Sequence, residues 1–352
     1  MMVHVALIVP NNLWVSPYLS IYTRQLKKSG VDYEIISWNR ANVVENCIQY
    51  NVPEGKRYFF SVFFSYFKYA RFVKKILKKE EYDRIIVFSS QLAIFLAGYL
   101  KRHYWGRYII DFRDLSIEQK KPFDYLFKKV LQYSYANVIS SPGFKDYLPL
   151  GVNYIISHNF NVDQVNQSIN EKAMPYLGRV NKVLTIGALR TDMNIEVMNS
   201  LGNHQGFELS FVGKGTAAEY LENYSKSKGF TNVFFTGFYN KEEEPAIYEQ
   251  HALVNIIYPL IPSHISALSN RFYNSLIYKR PMIVASNTVQ GDYAVKYGVG
   301  LVVDNCENLS SDIVEYNRSF DFKQYVQQCN SLLSEFLNEN KLFEKTLCDF
   351  VR

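Results

Sequence analysis

Short apolar runs alternate with amphipathic stretches along nearly the whole chain. Val3–Val9, Tyr33–Ser37, Arg84–Ser89, Arg107–Asp111, Asn137–Ser141 and Tyr154–Ser157 read as buried strands. Segments at Tyr18–Ser29 and Gln91–Lys101 read as helices between them. The alternation dissolves at 161–180 into a polar stretch that reads as a linker. It resumes with Lys182–Ile186, Glu208–Val212, Asn232–Thr236, Leu253–Tyr258, Met282–Ala285 and Leu301–Val303. Phe322–Cys348 then reads as one long helix. The pattern predicts two mostly parallel sheets, each with helices on both faces. Ligands of such sheets bind beyond the carboxyl ends of strands, so the residues just after each strand carry the candidate chemistry.

One stretch combines a polar-faced helix with a strand. In Leu268–Ala285, LSNRFYNSLIYKRPMIVA, Asn270 and Asn274 share a helical face with Arg271 at its edge. Leu268, Phe272 and Leu276 form a separate apolar stripe. Pro281 ends the helix and opens a buried strand. A cation in a helix's first turn, beside free N–H groups, suits a diphosphate; a solvated arginine is the plainer alternative.

Other strand ends carry further candidates. Asn11 and Asn12 follow the first strand, as ligand contacts or as an ordinary turn. Asp111, Arg113 and Asp114 follow the strand at Arg107. Asp114 suits orienting an acceptor hydroxyl or taking its proton, and Arg113 suits phosphate, against the alternative of a local ion pair. His158 ends the last strand of the first half and has no metal-ligand spacing with the other histidines. Gly187 permits a tight turn before Arg190, whose guanidinium suits a diphosphate. Gly213-Lys214-Gly215 fits a dinucleotide fingerprint. The acidic residue that reading needs after the next strand is absent, so these residues are assigned to a turn near a nucleotide.

Composition narrows the picture. The chain's 352 residues suffice for two domains, and 48% hydrophobic with 20% charged residues is globular. Four scattered cysteines without a C-x-x-C argue for a reducing compartment and against structural zinc. The N-terminal MMVHVALIVPNN reads as a first strand, not a signal peptide, and no run matches a membrane span. A net charge of +6 permits an anionic surface as partner without demanding one. Lys56–Lys79 is more pointed. Phe59, Val62, Phe63, Tyr66, Ala70, Val73 and Leu77 form its apolar stripe. Phe60, Phe64 and Phe67 share the other side with Lys68, Arg71, Lys74, Lys75, Lys78 and Lys79, a mixture that suits an anionic membrane interface. Coverage of those rings by a loop or partner chain is the alternative.

The segment Ser269-Asn270-Arg271-Phe272-Tyr273-Asn274 with Lys279-Arg280-Pro281 resembles the signature of GT-B glycosyltransferases, in particular the GT4-like group of bacterial surface polysaccharide synthesis. Asp111–Asp114, Gly187–Arg190, Gly213–Gly215 and Thr236-Gly237-Phe238 resemble further segments of that group. The departures are Asn274 and Ser266 where the group has glutamates, and Lys279 where it has glycine. The resemblance spans essentially the whole chain. It implies two doubly wound Rossmann-like domains facing a cleft. They would be an acceptor-binding domain at 1–160 and a nucleotide-sugar-binding domain at 181–325, with a helix at 326–352 crossing back to the first domain. It implies retaining, metal-independent sugar transfer from a nucleotide sugar to a polysaccharide or lipid-linked saccharide. No cofactor beyond that co-substrate and no nucleic acid would be involved, and the site would be cytoplasmic at the inner membrane surface. Arg190, Arg271 and Asp114 would be catalytic. Gly187, Gly213, Lys214, Gly237, Phe238, Asn270 and Asn274 would bind donor, and Asn11, Asn12, Asp111, Arg113 and His158 acceptor. The missing glutamates leave two alternatives, a degenerate GT-B scaffold of a polysaccharide-assembly complex and a GT-B sugar-nucleotide epimerase.

Overall fold

The structure, a computed structural model, describes residues 3–52, 59–115, 121, 123–173, 181–190 and 193–352, with side chains except at 59 and 60. The chain divides into two compact units, Met1–His158 with Asn338–Arg352, and Asn159–Leu337.

The first unit is built on seven strands: β1 (His4–Val9), β2 (Asp32–Trp38), β3 (Ile48–Tyr50), β4 (Arg84–Phe88), β5 (Tyr108–Phe112), β6 (Ala136–Ile139) and β7 (Tyr154–Ile156). They are parallel, in the order β3-β2-β1-β4-β5-β6-β7. Its helices are α1 (Leu19–Lys28), α2 (Phe59–Lys79), α3 (Ser90–His103) and α4 (Phe123–Tyr133). The short edge strand β3 is invisible to periodicity, because Gln49 at its middle leaves no apolar run. On α2, Tyr66, Ala70, Val73 and Leu77 are buried, joined by Tyr69. The Tyr69 hydroxyl lies 2.8 Å from the Val9 carbonyl and 2.9 Å from that of Ile36, so the helix is keyed to two strand ends.

The second unit has six parallel strands: β8 (Asn181–Ile186), β9 (Phe207–Val212), β10 (Val233–Gly237), β11 (Leu253–Asn255), β12 (Met282–Ala285) and β13 (Gly300–Val303). Their order is β10-β9-β8-β11-β12-β13. Its helices are α5 (Val162–Asn170), α6 (Asn194–Leu201), α7 (Ala218–Ser227), α8 (Glu244–Glu249), α9 (Pro262–Ile265), α10 (Asn270–Ile277), α11 (Val289–Tyr297) and α12 (Leu309–Ser319). The first part of the expected linker is in fact α5. Asn161 caps it by accepting the Asp163 N–H at 2.9 Å, and Val162, Val165 and Ile169 face the core. Three apolar residues among polar ones hide an amphipathic helix this short. The rest of the linker, 174–180, lies outside the described residues. The strand expected at Leu253–Tyr258 stops at Asn255, whose side-chain oxygen accepts the Ile257 N–H at 3.1 Å.

The final helix, α13 (Phe322–Phe350), serves both cores. Tyr325, Cys329, Leu332 and Phe336 pack in the second unit, and Phe343, Leu347 and Phe350 in the first. Their three- and four-residue spacing is a single apolar stripe.

Beyond α10, Lys279 stands at φ 55, the left-handed conformation that glycine adopts without strain. Its ammonium is buried with no hydrogen-bond partner among the described residues, and burial pushes its pKa down to about 8. Arg280 is wholly buried but well partnered. It donates to the carbonyls of Tyr248 (2.9 Å), Lys279 (3.1 Å) and Glu249 (3.3 Å). A base whose folded pKa lies below its unfolded value binds fewer protons when folded, so stability rises with pH between the two, here from about 8. Lys279→Met, which keeps the stem and removes the charge, is expected to be more stable than the parent at pH 7 by about 1–3 kcal/mol in urea unfolding. The gap should close as pH approaches ~10.4, the ordinary lysine value; a gap independent of pH would refute the buried ammonium.

Candidate functional site

In the second unit, strand order reverses between β8 and β11, and ligands of doubly wound sheets bind at such a point. A cavity of ≈ 380 Å³ lies there, lined from β8 and its loop by Ile186, Gly187, Ala188 and Arg190, and after β11 by Ile257 and Tyr258. Helix α10 adds Asn270, Arg271 and Asn274. The structure therefore brings together five residues singled out above: Gly187, Arg190, Asn270, Arg271 and Asn274.

The start of α10 is tightly built. Ser269 caps it, accepting the Phe272 N–H at 3.2 Å and donating to Gln290 at 2.7 Å. The Asn270 side-chain oxygen accepts from Asn159 at 2.9 Å. Arg271 is only 7% exposed. Its Nε donates to the Ile186 carbonyl, its Nη2 to that of Ala188 at 3.4 Å, and its guanidinium carbon lies 5.3 Å from the Tyr258 ring centre. Arg271 thus fixes the loop after β8 and places a positive charge on the cavity wall. Arg190 is exposed and free of internal ion pairs among the described residues.

The Gly-x-Gly turn packs tightly against the loop after β8. A Cβ on Gly213 would fall 2.0 Å from the Gly187 oxygen, and one on Gly215 2.1 Å from the Leu189 oxygen. The two loops are stitched by the Gly187 N–H to Val212 (2.8 Å) and the Leu189 N–H to Lys214 (3.1 Å). Gly213 and Gly215 are the seat on which the cavity loop rests. Gly213, Lys214, Gly237 and Phe238 do not line the cavity, and Phe238 is 70% exposed.

Sequence reasoning missed Asn194, Tyr239, Glu244, Tyr248 and His264, which also line the cavity. Glu244, on α8, accepts from the Tyr239 hydroxyl at 3.1 Å and from the Asn274 amide at 3.3 Å. Burial, and secondarily the Glu244 charge, push the Tyr239 phenol up to about 12, so it remains a donor at neutral pH. His264 Nδ1 lies 3.1 Å from the Pro259 carbonyl, an acceptor, so the neutral ring keeps its lone pair on Nε2. Below, the Asn255 amide donates to Thr185 (3.0 Å) and Asn194 (3.1 Å), a buried polar floor. Glu244 ends the run Lys241–Glu244, which looks like a solvated charged turn. The available signal is Tyr248 four residues on, an aromatic on the same helical face.

In the first unit the strand-end candidates are engaged largely with one another. Arg113 grips the buried Asp111 carboxylate at 3.1 and 2.8 Å and reaches the Ser157 carbonyl (3.3 Å) and hydroxyl (3.2 Å). Tyr22 donates to the same carboxylate at 2.6 Å. The local ion pair, left open above, is thus formed. Asn12 is buried, donating to Asn39 (2.9 Å) and Glu45 (3.1 Å) and accepting from the Arg40 and Ala41 N–H groups. His158 is buried against Glu339 at 2.5 Å. Asn11 is half-buried, and Asp114 is exposed.

On α2, Phe64 is 58% and Phe67 45% exposed. Lys68, Arg71, Lys75, Lys78 and Lys79 are exposed beside them. Lys74 is half-buried and donates to the Phe95 carbonyl at 3.1 Å, while the Phe60 side chain lies outside the described residues. Among the described residues no helix is long and apolar enough to cross a membrane.

No family model and no curated protein matches the chain. Solved structures match it nearly end to end. Sucrose-phosphate synthase from Thermosynechococcus elongatus is 14% identical, with a TM-score of 0.67 over 97% of this chain and 98% of that one. HepE from Anabaena, in complex with UDP, is 11% identical, with a TM-score of 0.65 over 98% and 99%. UDP-N-acetylglucosamine 2-epimerase from Rickettsia bellii is 12% identical, with a TM-score of 0.58 over 96% of each chain. Two parallel sheets with Rossmann-type strand orders and likeness across both units lead to one conclusion: the chain has the GT-B fold, as two Rossmann-like α/β units.

Proposed function

We propose that this protein is a glycosyltransferase that moves a sugar from a nucleotide-sugar donor to a saccharide acceptor, a polysaccharide or lipid-linked oligosaccharide, with retention of configuration. The observation that carries the reading is the cavity at the β8–β11 reversal, lined by Arg190 and by Arg271 from the first turn of α10. Departure of a nucleoside diphosphate builds negative charge, and prefixed cations with unsatisfied helix N–H groups stabilise that charge with little reorganisation. Arg271 is held by backbone carbonyls, so its position is set before ligand arrives. Asn270 sits at the helix start as a neutral donor to the same group. The likeness to a UDP-bound structure supports UDP as the first ligand to try.

Asp114, the exposed carboxylate of its strand end, is assigned the acceptor hydroxyl. Asp111, Arg113, Asn12 and His158 are assigned the shape of the acceptor side through the contacts that fix its loops. The exposed rings and cations of α2 support docking on the anionic inner face of a membrane, where a lipid-linked acceptor would be met.

Calorimetric titration with UDP, ADP and GDP should show at least one binding. Arg190→Ala and Arg271→Ala should each weaken it by about 10- to 100-fold, as loss of a charge-assisted hydrogen bond implies. Asp114→Asn should leave nucleotide affinity unchanged while transfer to acceptor falls. Nucleotide sugar consumed equally fast without any acceptor, to give an epimerised sugar, would replace transfer by epimerisation; a chain that binds no nucleotide would be a scaffold.

Flotation with vesicles tests the α2 surface. Binding to phosphatidylglycerol-containing vesicles should exceed binding to neutral ones and fall with salt. Phe64→Ser with Phe67→Ser should abolish it without altering nucleotide affinity. Equal recovery of parent and variant would remove the membrane from the reading.

A further inference from the structure

We propose that Glu244 reads ligand hydroxyls in the β8–β11 cavity, accepting the hydrogen bonds of a vicinal diol, with Asn274 and Tyr239 as its positioning residues. The inference rests on the reading of this cavity as a nucleotide-sugar site and adds which group recognises which part of the ligand.

Among the described residues Glu244 is the sole acidic side chain lining the cavity. It is only 8% exposed, yet no cation lies within ion-pairing distance among the described residues, Arg190 and Arg271 of the same cavity included. A buried carboxylate without a counter-ion is costly unless its oxygens are hydrogen-bonded. Two bonds are in place, Tyr239 to Oε1 at 3.1 Å and Asn274 to Oε2 at 3.3 Å. A carboxylate offers about four acceptor sites, so each oxygen keeps capacity. It repels a phosphate and accepts from O–H or N–H donors, and the paired O–H donors of a nucleotide sugar are the diols of its ribose and its sugar. The cavity is thereby divided into cations for the diphosphate and a carboxylate for hydroxyls.

The neighbours of Glu244 are arranged to hold it. Asn274 gives its amide N–H to the carboxylate, so it orients Glu244. At the other end of α8, Arg280 binds the carbonyls of Tyr248 and Glu249 and fixes the helix. The Tyr248 ring stacks on Tyr278, with centres 4.6 Å apart, and packs the same face as Glu244.

The diol belongs either to the ribose or to the transferred sugar, and binding measurements separate these sources. The nucleoside diphosphate that binds best is compared by calorimetry with its 2′-deoxy counterpart and with its glucose conjugate. The parent should prefer ribose to deoxyribose by about 10-fold or more, as a hydrogen bond to a charged group implies. Glu244→Gln is isosteric but has a single acceptor oxygen, so it keeps one of the two bonds from Tyr239 and Asn274. It should bring that ratio near one, weakening the ribose ligand more than the deoxy ligand, which keeps only its 3′-hydroxyl. If instead only the advantage of the glucose conjugate is lost, the hydroxyls read are those of the sugar. Asn274→Ala should weaken the same preference without abolishing it. Glu244→Gln retaining both preferences would overturn the assignment alone. A parent that binds no nucleoside diphosphate would overturn the assignment together with the reading beneath it.

Discussion

Two buried arginines near the ends of one short helix hold the candidate site together. Arg271, in the first turn of α10, binds the carbonyls of Ile186 and Ala188 at the end of β8. Arg280, just beyond the helix, binds those of Tyr248 and Glu249 at the end of α8. A guanidinium never loses its charge in a protein, so burial obliges it to keep its acceptors. Those acceptors are backbone, and backbone carbonyls move only with the segment that carries them. β8, α8 and α10, three elements far apart in sequence, therefore meet in one fixed arrangement around the cavity.

The same constraint explains the glycines. The loop after β8 must lie close enough to β9 for the Gly187 and Leu189 N–H groups to reach Val212 and Lys214. Any side chain at 213 or 215 would strike that loop's carbonyl oxygens. The glycines thus determine where Arg271 finds its acceptors. The hydrogen bonds that hold this loop need no ligand, and charges fixed in advance act most strongly on a developing one.

Much of this was legible in the sequence, for identifiable reasons. Parallel strands read as short, mostly apolar runs, so twelve of the strands announce themselves, whereas β3, three residues with Gln49 at the centre, does not. The left-handed conformation of Lys279 follows from the resemblance, since it stands where the resembling group has glycine. Arg271 follows from its place at a helix start. What remained hidden depends on partners distant in sequence. Asp111 and Arg113 look like reactive groups because their charges are local; their engagement with Tyr22 and Ser157 is not. Asn12 likewise looks like a turn residue until Asn39, Glu45 and two backbone N–H groups surround it.

The carboxylate question shows most clearly how space and sequence differ. Read along α10 alone, Asn274 is a loss, because an amide offers a ligand hydroxyl no charge-assisted bond. In the folded unit a carboxylate stands 3.3 Å from that amide, delivered from α8 thirty positions earlier in the chain. An aspartate or glutamate at 274 would face Glu244 as a like charge in a buried site, where two ionised carboxylates so close together are strongly disfavoured. Asparagine is thus the compatible partner once Glu244 is present, and the pair has to be judged as a unit. Absence of an expected acid from one helix therefore says little about whether the cavity has one. The relevant inventory is the set of side chains that the two arginines draw around a common space.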